Sequence, residues 1–184
     1  MTRTIIAAIC LGIVFVSCNA SAHEPGTAGW RIGGSAMTSQ FERDDGLIDD
    51  GKLGFKLFGQ YKFNDWLGLE GAYYNSAEFS SSATSAGGNR FDLLYQGALG
   101  QFLVYVPVPW ESLEFFLKGG YFAFNVDSTF DGANAGSGTD NGAVLGTGIS
   151  IHVMEQMHFR TAFDWYDADG AELWSVELGL AYTF

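Results

Sequence analysis

The sequence is poor in cysteine, proline, basic side chains and long apolar runs. Its 184 residues include 2 Cys, 3 Pro and 9 Lys or Arg against 21 Asp or Glu, giving a formal net charge of −12. Because the basic residues are scarce and form no cluster, the chain lacks the positive footprint that nucleic acid requires. Disorder is excluded too, since 47% of the residues are hydrophobic and 16% are aromatic.

The longest continuous apolar run stands at the N-terminus and predicts a signal peptide over residues 1–22. Arg3 precedes the apolar residues 5–16, and Ala20-Ser21-Ala22 offers small residues at a cleavage site. A helix of 12 residues is too short to cross a hydrocarbon core of about 30 Å. The run is therefore predicted to be removed rather than to span a membrane.

Both cysteines lie in this leader. Cleavage after Ala22 removes Cys10 and Cys18, so the mature domain, residues 23–184, is predicted to have no disulfide and no cysteine metal ligand. An alternative interpretation takes Cys18 as the acylated residue of a lipoprotein signal.

Beyond the leader, apolar and polar residues alternate with the period of two that is typical of β-strands. The alternation is regular in four segments, residues 52–63, 143–153, 157–166 and 174–184. It is weaker in four others, residues 29–40, 66–77, 90–106 and 113–128. In the segment 90–106, Gln101 falls among the apolar residues on the side expected to face outward, which predicts a bulge or a phase shift there.

The connections between these eight segments alternate between long and short. Long connections at residues 41–51, 78–89, 129–141 and 167–173 are separated by short ones at 64–65, 107–112 and 154–156. This order is typical of a hairpin meander with one decorated end. Closure leaves no unpaired edge, so the predicted fold is all-β, an eight-stranded antiparallel up-and-down barrel.

Side-chain volume predicts which face of the strands points outward. One face carries Phe, Leu, Tyr and Trp, too much bulk for an eight-stranded interior, whereas the other combines charges with Gly, Ala and Ser. An apolar outer surface requires lipid, which makes this a transmembrane barrel. Aromatic residues near strand ends are predicted to form two interfacial girdles: Trp30, Tyr61, Phe63, Trp66, Tyr105, Trp110, Phe163, Trp165, Trp174, Tyr182 and Phe184.

Charged side chains on the opposite face are predicted to form a lumen network. They are Arg31, Lys56, Glu70, Glu114, Lys118, Arg160 and Glu177. Because buried charges persist when they are paired, we expect this network to plug the barrel rather than to line a selective pore. His152 and His158 flank one short turn on lumen-facing positions. They are interpreted as polar lining, with metal binding or titration near neutral pH as alternatives.

The long connections carry most of the negative charge. Their acidic residues are Glu42, Asp44, Asp45, Asp49, Asp50, Glu78, Asp127, Asp131, Asp140, Asp167, Asp169 and Glu172. By analogy with known barrels these loops are placed outside the cell, where they are predicted to stay solvated. The alternative is that they gather divalent cations near lipopolysaccharide phosphates. Asp167-Ala168-Asp169-Gly170 is only a fragment of a calcium loop, so no dedicated metal site is predicted.

The final hairpin gives the chain a family resemblance. Residues 159–166 and 175–184 alternate in phase, and the chain ends on Leu178, Leu180, Tyr182 and Phe184. The chain resembles the small outer-membrane barrels of Gram-negative bacteria, of the OmpA-transmembrane-domain and OmpX type. That resemblance implies a monomer in the bacterial outer membrane, in contact with outer-membrane lipids and lipopolysaccharide. It also implies that the outer-membrane assembly machinery recognises Phe184, Tyr182 and Leu180, and it implies no cofactor.

Three hypotheses about function follow from this resemblance. The preferred hypothesis is a non-catalytic barrel with a structural or surface-interaction role exercised through the acidic loops. The alternatives are a narrow, porin-like conduit for small solutes and a lipid A-modifying enzyme. Barrel enzymes of the lipid A deacylase kind carry Ser and His two residues apart near the outer end of a strand. Residues 162–166 here contain no such pair, so no catalytic residue is predicted.

Overall fold

The computed structural model describes residues 28–43, 48–49, 53–82, 90–110, 112–130, 133–168 and 171–184. The predicted signal peptide lies outside these residues. Nine strands occur in them: β1 (Gly29–Arg43), β2 (Ile48–Asp49), β3 (Leu53–Lys62), β4 (Leu67–Ser82), β5 (Arg90–Val106), β6 (Leu113–Phe130), β7 (Ala133–His152), β8 (Met157–Ala168) and β9 (Ala171–Thr183). Among the described residues, no helix has the length and apolar character needed to cross a membrane.

The long strands form one closed antiparallel sheet. Each of them pairs with the next along the chain, and β9 returns to pair with β1 from Arg31↔Thr183 to Arg43↔Ala171. The two-residue β2 pairs only with the far end of β1. The predicted eight-stranded up-and-down barrel is confirmed, because the pairing of β9 with β1 joins the first and last long strands of the sheet.

Several strands run further into the predicted long loops than the sequence indicated. β7 begins at Ala133 instead of Ala143, β6 continues to Phe130, and β4 continues to Ser82. In β7, residues 136–139 are exposed on both faces of the strand. A strand with water on both faces has no apolar side, so period-two alternation does not mark it. We call this extended side of the barrel the long-loop end and the opposite side the short-turn end.

The apolar face of the strands points outward, as predicted. In β3 the burial alternates residue by residue, with Leu57 55% exposed beside the buried Lys56 and Phe58. Aromatic rings lie side by side on the outer surface near the short turns, where Trp30 and Tyr61 have ring centroids 5.0 Å apart. Along β3 and near the short turns, the outer surface is therefore an apolar and aromatic wall.

The orientation of β5 differs from the prediction. Its odd-numbered residues face the interior: Tyr105 is 5% exposed and Gln101 is fully buried, whereas Phe102 is 61% exposed. The predicted placement of Tyr105 in an aromatic girdle is wrong, and Gln101 marks the inward face rather than a phase shift. The register irregularity lies in the neighbouring β4, between Asn75 and Glu78. β5 has bulky apolar residues on both faces, so alternation alone could not orient it.

Candidate functional site in the barrel interior

Six charged side chains fill the middle of the barrel, and we call them the ionic tier. Three cations face three anions, and each of the six side chains is at most 3% exposed. The members are Lys56, Glu70, Lys118, Arg160, Asp164 and Glu177. They come from β3, β4, β6, β8 and β9, so the tier ties opposite walls of the barrel together.

The two lysines of the ionic tier share two carboxylates. Lys56 Nζ lies 2.8 Å from Glu177 Oε2 and 3.1 Å from Asp164 Oδ2. Lys118 Nζ lies 2.8 Å from the same Asp164 oxygen and 3.0 Å from Glu177 Oε1. Ser35 adds a hydroxyl that donates to Glu177 over 3.1 Å. This ring of charge-assisted hydrogen bonds compensates for the desolvation of each ion.

Arg160 completes the ionic tier on the side of the short turns. Its guanidinium lies 2.5 Å from Glu70 Oε2 and 3.4 Å from Glu177 Oε1. The same group lies over two rings, 4.4 Å from the centroid of Phe58 and 4.7 Å from that of Phe116. Ion pairs and cation–π contacts together hold the guanidinium in place.

A second polar group lies nearer the short turns, and we call it the short-turn tier. Its members are Arg31, Gln60, Lys62, Tyr105, Glu114, His152 and His158. Arg31 binds both oxygens of Glu114, at 2.5 and 3.0 Å, and Lys62 donates to Glu114 Oε1 over 2.8 Å. Gln60 donates to the Tyr105 hydroxyl. Pairing with two cations stabilises the single carboxylate of this tier.

Apolar and aromatic side chains fill the interior on the long-loop side, and we call them the aromatic tier. Tyr74 and Phe124 stack with ring centroids 4.6 Å apart, and Phe122 lies 4.6 Å from Phe124. The Tyr74 hydroxyl shares a hydrogen bond of 2.8 Å with the Ser39 hydroxyl. The full set is Met37, Tyr74, Tyr95, Leu99, Phe122, Phe124, Val144, Tyr166 and Leu173. This tier packs the interior on the long-loop side of the ionic tier.

Glycines make room for these large interior groups. A Cβ placed on Gly33 would lie 2.3 Å from Cζ of Phe58, and one on Gly146 would lie 2.2 Å from Oδ1 of Asp164. Both distances are far below van der Waals contact, so these glycines are required by close approach. At these two positions the interior has no space for even one additional methyl group.

All seven charges predicted for the lumen face the interior, and the structure divides them between two tiers. Five lie in the ionic tier, while Arg31 and Glu114 pair in the short-turn tier. Lys62 and Asp164, absent from the predicted set, also form buried ion pairs. Their phase could have identified them, because each shares the inward parity of a predicted charge on its own strand. By the same parity, Tyr74 faces the interior like Glu70 on β4, and Phe124 faces the interior like Lys118 on β6.

The histidines contact the interior wall and not a serine side chain. His152 Nδ1 donates to the backbone carbonyl of Ser112 over 3.3 Å, and His158 Nε2 lies 2.6 Å from the Thr183 hydroxyl. In the described part of the chain, no Ser–His side-chain hydrogen bond occurs on the outer face. The arrangement expected of a lipid-modifying hydrolase is therefore not found in these residues.

The predicted assembly residues and those predicted acidic residues that the structure describes lie at opposite ends of the barrel. Leu180 and Tyr182 are exposed on the outer face, and the Phe184 amide donates to the Trp30 carbonyl over 3.1 Å. At the long-loop end, the strand registers place Glu172 opposite Glu42 on β1 and Asp167 on β8. Several acidic loop positions lie outside the described residues: Asp44, Asp45, Asp50, Asp131 and Asp169.

Comparison with known proteins assigns the family. The family model described as "Outer membrane protein beta-barrel domain" matches residues 7–184. Ail, the attachment invasion locus protein of Yersinia pestis, is 16% identical, with a TM-score of 0.64 over 86% of this chain and 99% of Ail. Neisserial surface protein A is 15% identical, with a TM-score of 0.65 over 85% of this chain and 97% of its own.

OprG from Pseudomonas aeruginosa is 15% identical, with a TM-score of 0.56 over 90% of this chain and 99% of OprG. No curated protein sequence matches the chain. At these identities the solved structures show a shared fold, and the family model covers nearly the whole sequence. The chain belongs to the outer membrane protein β-barrel domain family and is a protein of the bacterial outer membrane.

Proposed function

We propose that this protein is a closed, non-catalytic barrel, a monomer that acts at the cell surface through its acidic loops. The observation that carries the proposal is the filled lumen, in which an ionic tier and an aromatic tier follow one another along the axis. An ion moving through the barrel would have to break bonds of Lys56 and Lys118 to shared carboxylates and then part stacked rings. Function therefore falls to the exposed ends of the barrel.

Conductance in planar bilayers tests the closed lumen. The wild-type barrel is expected to give no current steps at any voltage, whereas a Glu177→Ala/Phe124→Ala variant, which removes one member of each filled tier, is expected to conduct. Wild-type currents equal to those of the variant would contradict the closed barrel and favour the narrow solute conduit. The variant leaves the residues of the long-loop end unchanged, so a difference in current reports on the interior of the barrel.

The charge of the long-loop end supports a second part of the proposal, which concerns its contacts. Ail has been crystallised with the heparin analogue sucrose octasulfate, a polyanion. In this chain, Glu42, Glu172 and Asp167 lie on three neighbouring strands, which disfavours a polyanion by direct charge. We propose that divalent cations bridge these carboxylates to lipopolysaccharide phosphates, and that the outer wall meets outer-membrane lipids.

Protection from external protease tests this cation bridge. In vesicles containing lipopolysaccharide, Ca²⁺ is expected to slow loop cleavage several-fold, and vesicles of neutral phospholipid are expected to show no effect. A Glu42→Gln/Asp167→Asn/Glu172→Gln variant should lose the Ca²⁺ effect. The matched control is Asp65→Asn/Glu155→Gln, which alters exposed carboxylates at the short turns. Equal Ca²⁺ protection of both variants would contradict the proposal.

We also propose that the assembly machinery reads the last strand. The outward side chains of Leu180 and Tyr182 and the terminal Phe184 support this, since the motif is accessible on the outer wall. Phe184→Ala is expected to slow insertion by reconstituted machinery at least tenfold while spontaneous folding into detergent continues. The control is Phe163→Ala, which removes an exposed phenylalanine from the outer face of the neighbouring strand β8. Equal slowing of both variants would contradict a specific signal.

A further inference from the structure

Two histidines face each other inside the barrel at the short-turn end. His152 ends β7 and His158 follows the start of β8, and the two residues are register partners across the hairpin. Their ring centroids are 4.3 Å apart at an interplanar angle of 65°. His158 is only 2% exposed, so this pair belongs to the interior rather than to the exposed turn at residues 153–156.

Each ring has one nitrogen engaged and one without a partner. The Ser112 carbonyl can only accept, so His152 Nδ1 carries the proton of that hydrogen bond and Nε2 presents a lone pair. When His158 Nε2 donates to the Thr183 hydroxyl, Nδ1 of His158 presents a lone pair as well. Both remaining nitrogens are buried without any hydrogen-bond partner. Buried polar atoms of this kind indicate a missing partner, because leaving them unpaired is costly.

The carboxylate of Glu114 is a third potential metal ligand beside the two histidines. One oxygen of Glu114 and one nitrogen from each histidine all lie within 4.8 Å of one another. We propose that His152, His158 and Glu114 bind a divalent transition-metal ion of the Zn²⁺, Ni²⁺ or Cu²⁺ class. Two imidazoles and one carboxylate are the donor set that these ions prefer. The hydrogen bonds to Ser112 and Thr183 would fix both rings, as partners of ligating histidines do.

Geometry and charge set limits on this site. Tetrahedral bonds of about 2.1 Å place ligand atoms roughly 3.4 Å apart, so the three groups must close in slightly around the ion. Glu114 already accepts three hydrogen bonds from Arg31 and Lys62, which leaves about one of its four lone-pair positions for a metal. The two histidines are therefore the main ligands, and the positive charge of Lys62 weakens binding.

Metal titration of the mature chain in detergent tests the site. A His23→Ala background removes the remaining histidine, and one Zn²⁺ per chain is expected by calorimetry. His152→Gln and His158→Gln should each lower the affinity at least tenfold, and Thr183→Val about tenfold. Lys62→Met should raise the affinity severalfold, because it removes a cation beside Glu114. The matched control is Lys56→Met, a buried lysine that lies in the ionic tier.

Electron paramagnetic resonance of bound Cu²⁺ identifies the ligands directly. Two nitrogen ligands are expected in the His23→Ala chain and one in each glutamine variant, with the gel mobility of unheated protein reporting that every variant is folded. The proposal is overturned if the His23→Ala chain binds no ion at millimolar Zn²⁺, or if both folded glutamine variants bind it as the parent does. Should the glutamine variants not fold, the nitrogen count of the His23→Ala chain decides.

Discussion

The ionic and aromatic tiers are equally buried, yet different forces hold them in place. The ionic tier contains three cations and three anions whose side chains are almost wholly inaccessible, and its stability depends on that match. The aromatic tier contains stacked and tilted rings such as Tyr74 and Phe124, and its stability depends on contact area and shape. The middle of the lumen therefore responds to the loss of a charge, and its long-loop side responds to the loss of volume.

The largest effect is expected from removing one charge of the ionic tier. Glu177→Gln leaves Lys56, Lys118 and Arg160 facing only two carboxylates. The free energy of unfolding should fall by about 4 kcal/mol, the typical cost of an uncompensated buried charge. Urea unfolding in lipid vesicles, followed by Trp fluorescence, measures this. Glu155→Gln, in an exposed turn, should change little, and an equal loss there would contradict the assignment.

Removing volume from the aromatic tier should cost slightly less. Phe124→Ala takes away a fully buried ring that stacks on Tyr74 and touches Phe122. A loss of about 3 kcal/mol is expected, while Phe124→Leu should cost about 1 kcal/mol because it keeps most of the volume. The same unfolding measurement applies. If the leucine variant lost as much as the alanine variant, shape and volume would not be what holds this tier.

Adding volume separates the filled interior from the outer wall. Gly33→Ala forces a methyl group against the Phe58 ring and the backbone oxygen of Leu180, and a loss of about 2 kcal/mol is expected. Gly59→Ala adds the same group where nothing lies within 4 Å, so stability should change little or rise. Equal behaviour of these two alanine variants would mean that the interior is not filled at Gly33.

The smallest effect concerns the inward position of Tyr105. Tyr105→Phe removes the hydroxyl that accepts a hydrogen bond from Gln60, and leaves that buried amide unpaired. The expected loss is about 1 kcal/mol. Tyr61→Phe, on the outer wall beside Trp30, is the control and should be close to neutral. A larger effect at Tyr61 than at Tyr105 would contradict the inward orientation of β5.

The sequence could predict what alternation encodes. In strands such as β3 and β9, one face is apolar and the other is polar. Their alternation therefore predicted which residues face inward, the barrel fold and the charges in its interior. β5 did not, because Leu99 and Leu103 face inward while Phe102 and Val104 face outward, and parity distinguishes faces only when they differ in polarity. The aromatic tier was missed for another reason: side-chain volume assigned bulky rings to the outer face, although Tyr74 and Phe124 share the inward parity of Glu70 and Lys118. Ion partners such as Lys56 with Asp164 come from distant strands, so their distances required the three-dimensional register.

The pairing of β1 with β9 bears on the order in which the molecule forms. The first strand of the barrel has no permanent neighbour on one side until the last strand has been synthesised, and Lys56 meets Asp164 only across a sequence separation of 108 residues. Such distant contacts form late because of the entropy of bringing the ends together. Before β1 pairs with β9, the charged side chains of the open sheet lack their partners and need water. The charged face of the sheet must therefore stay hydrated until the barrel closes.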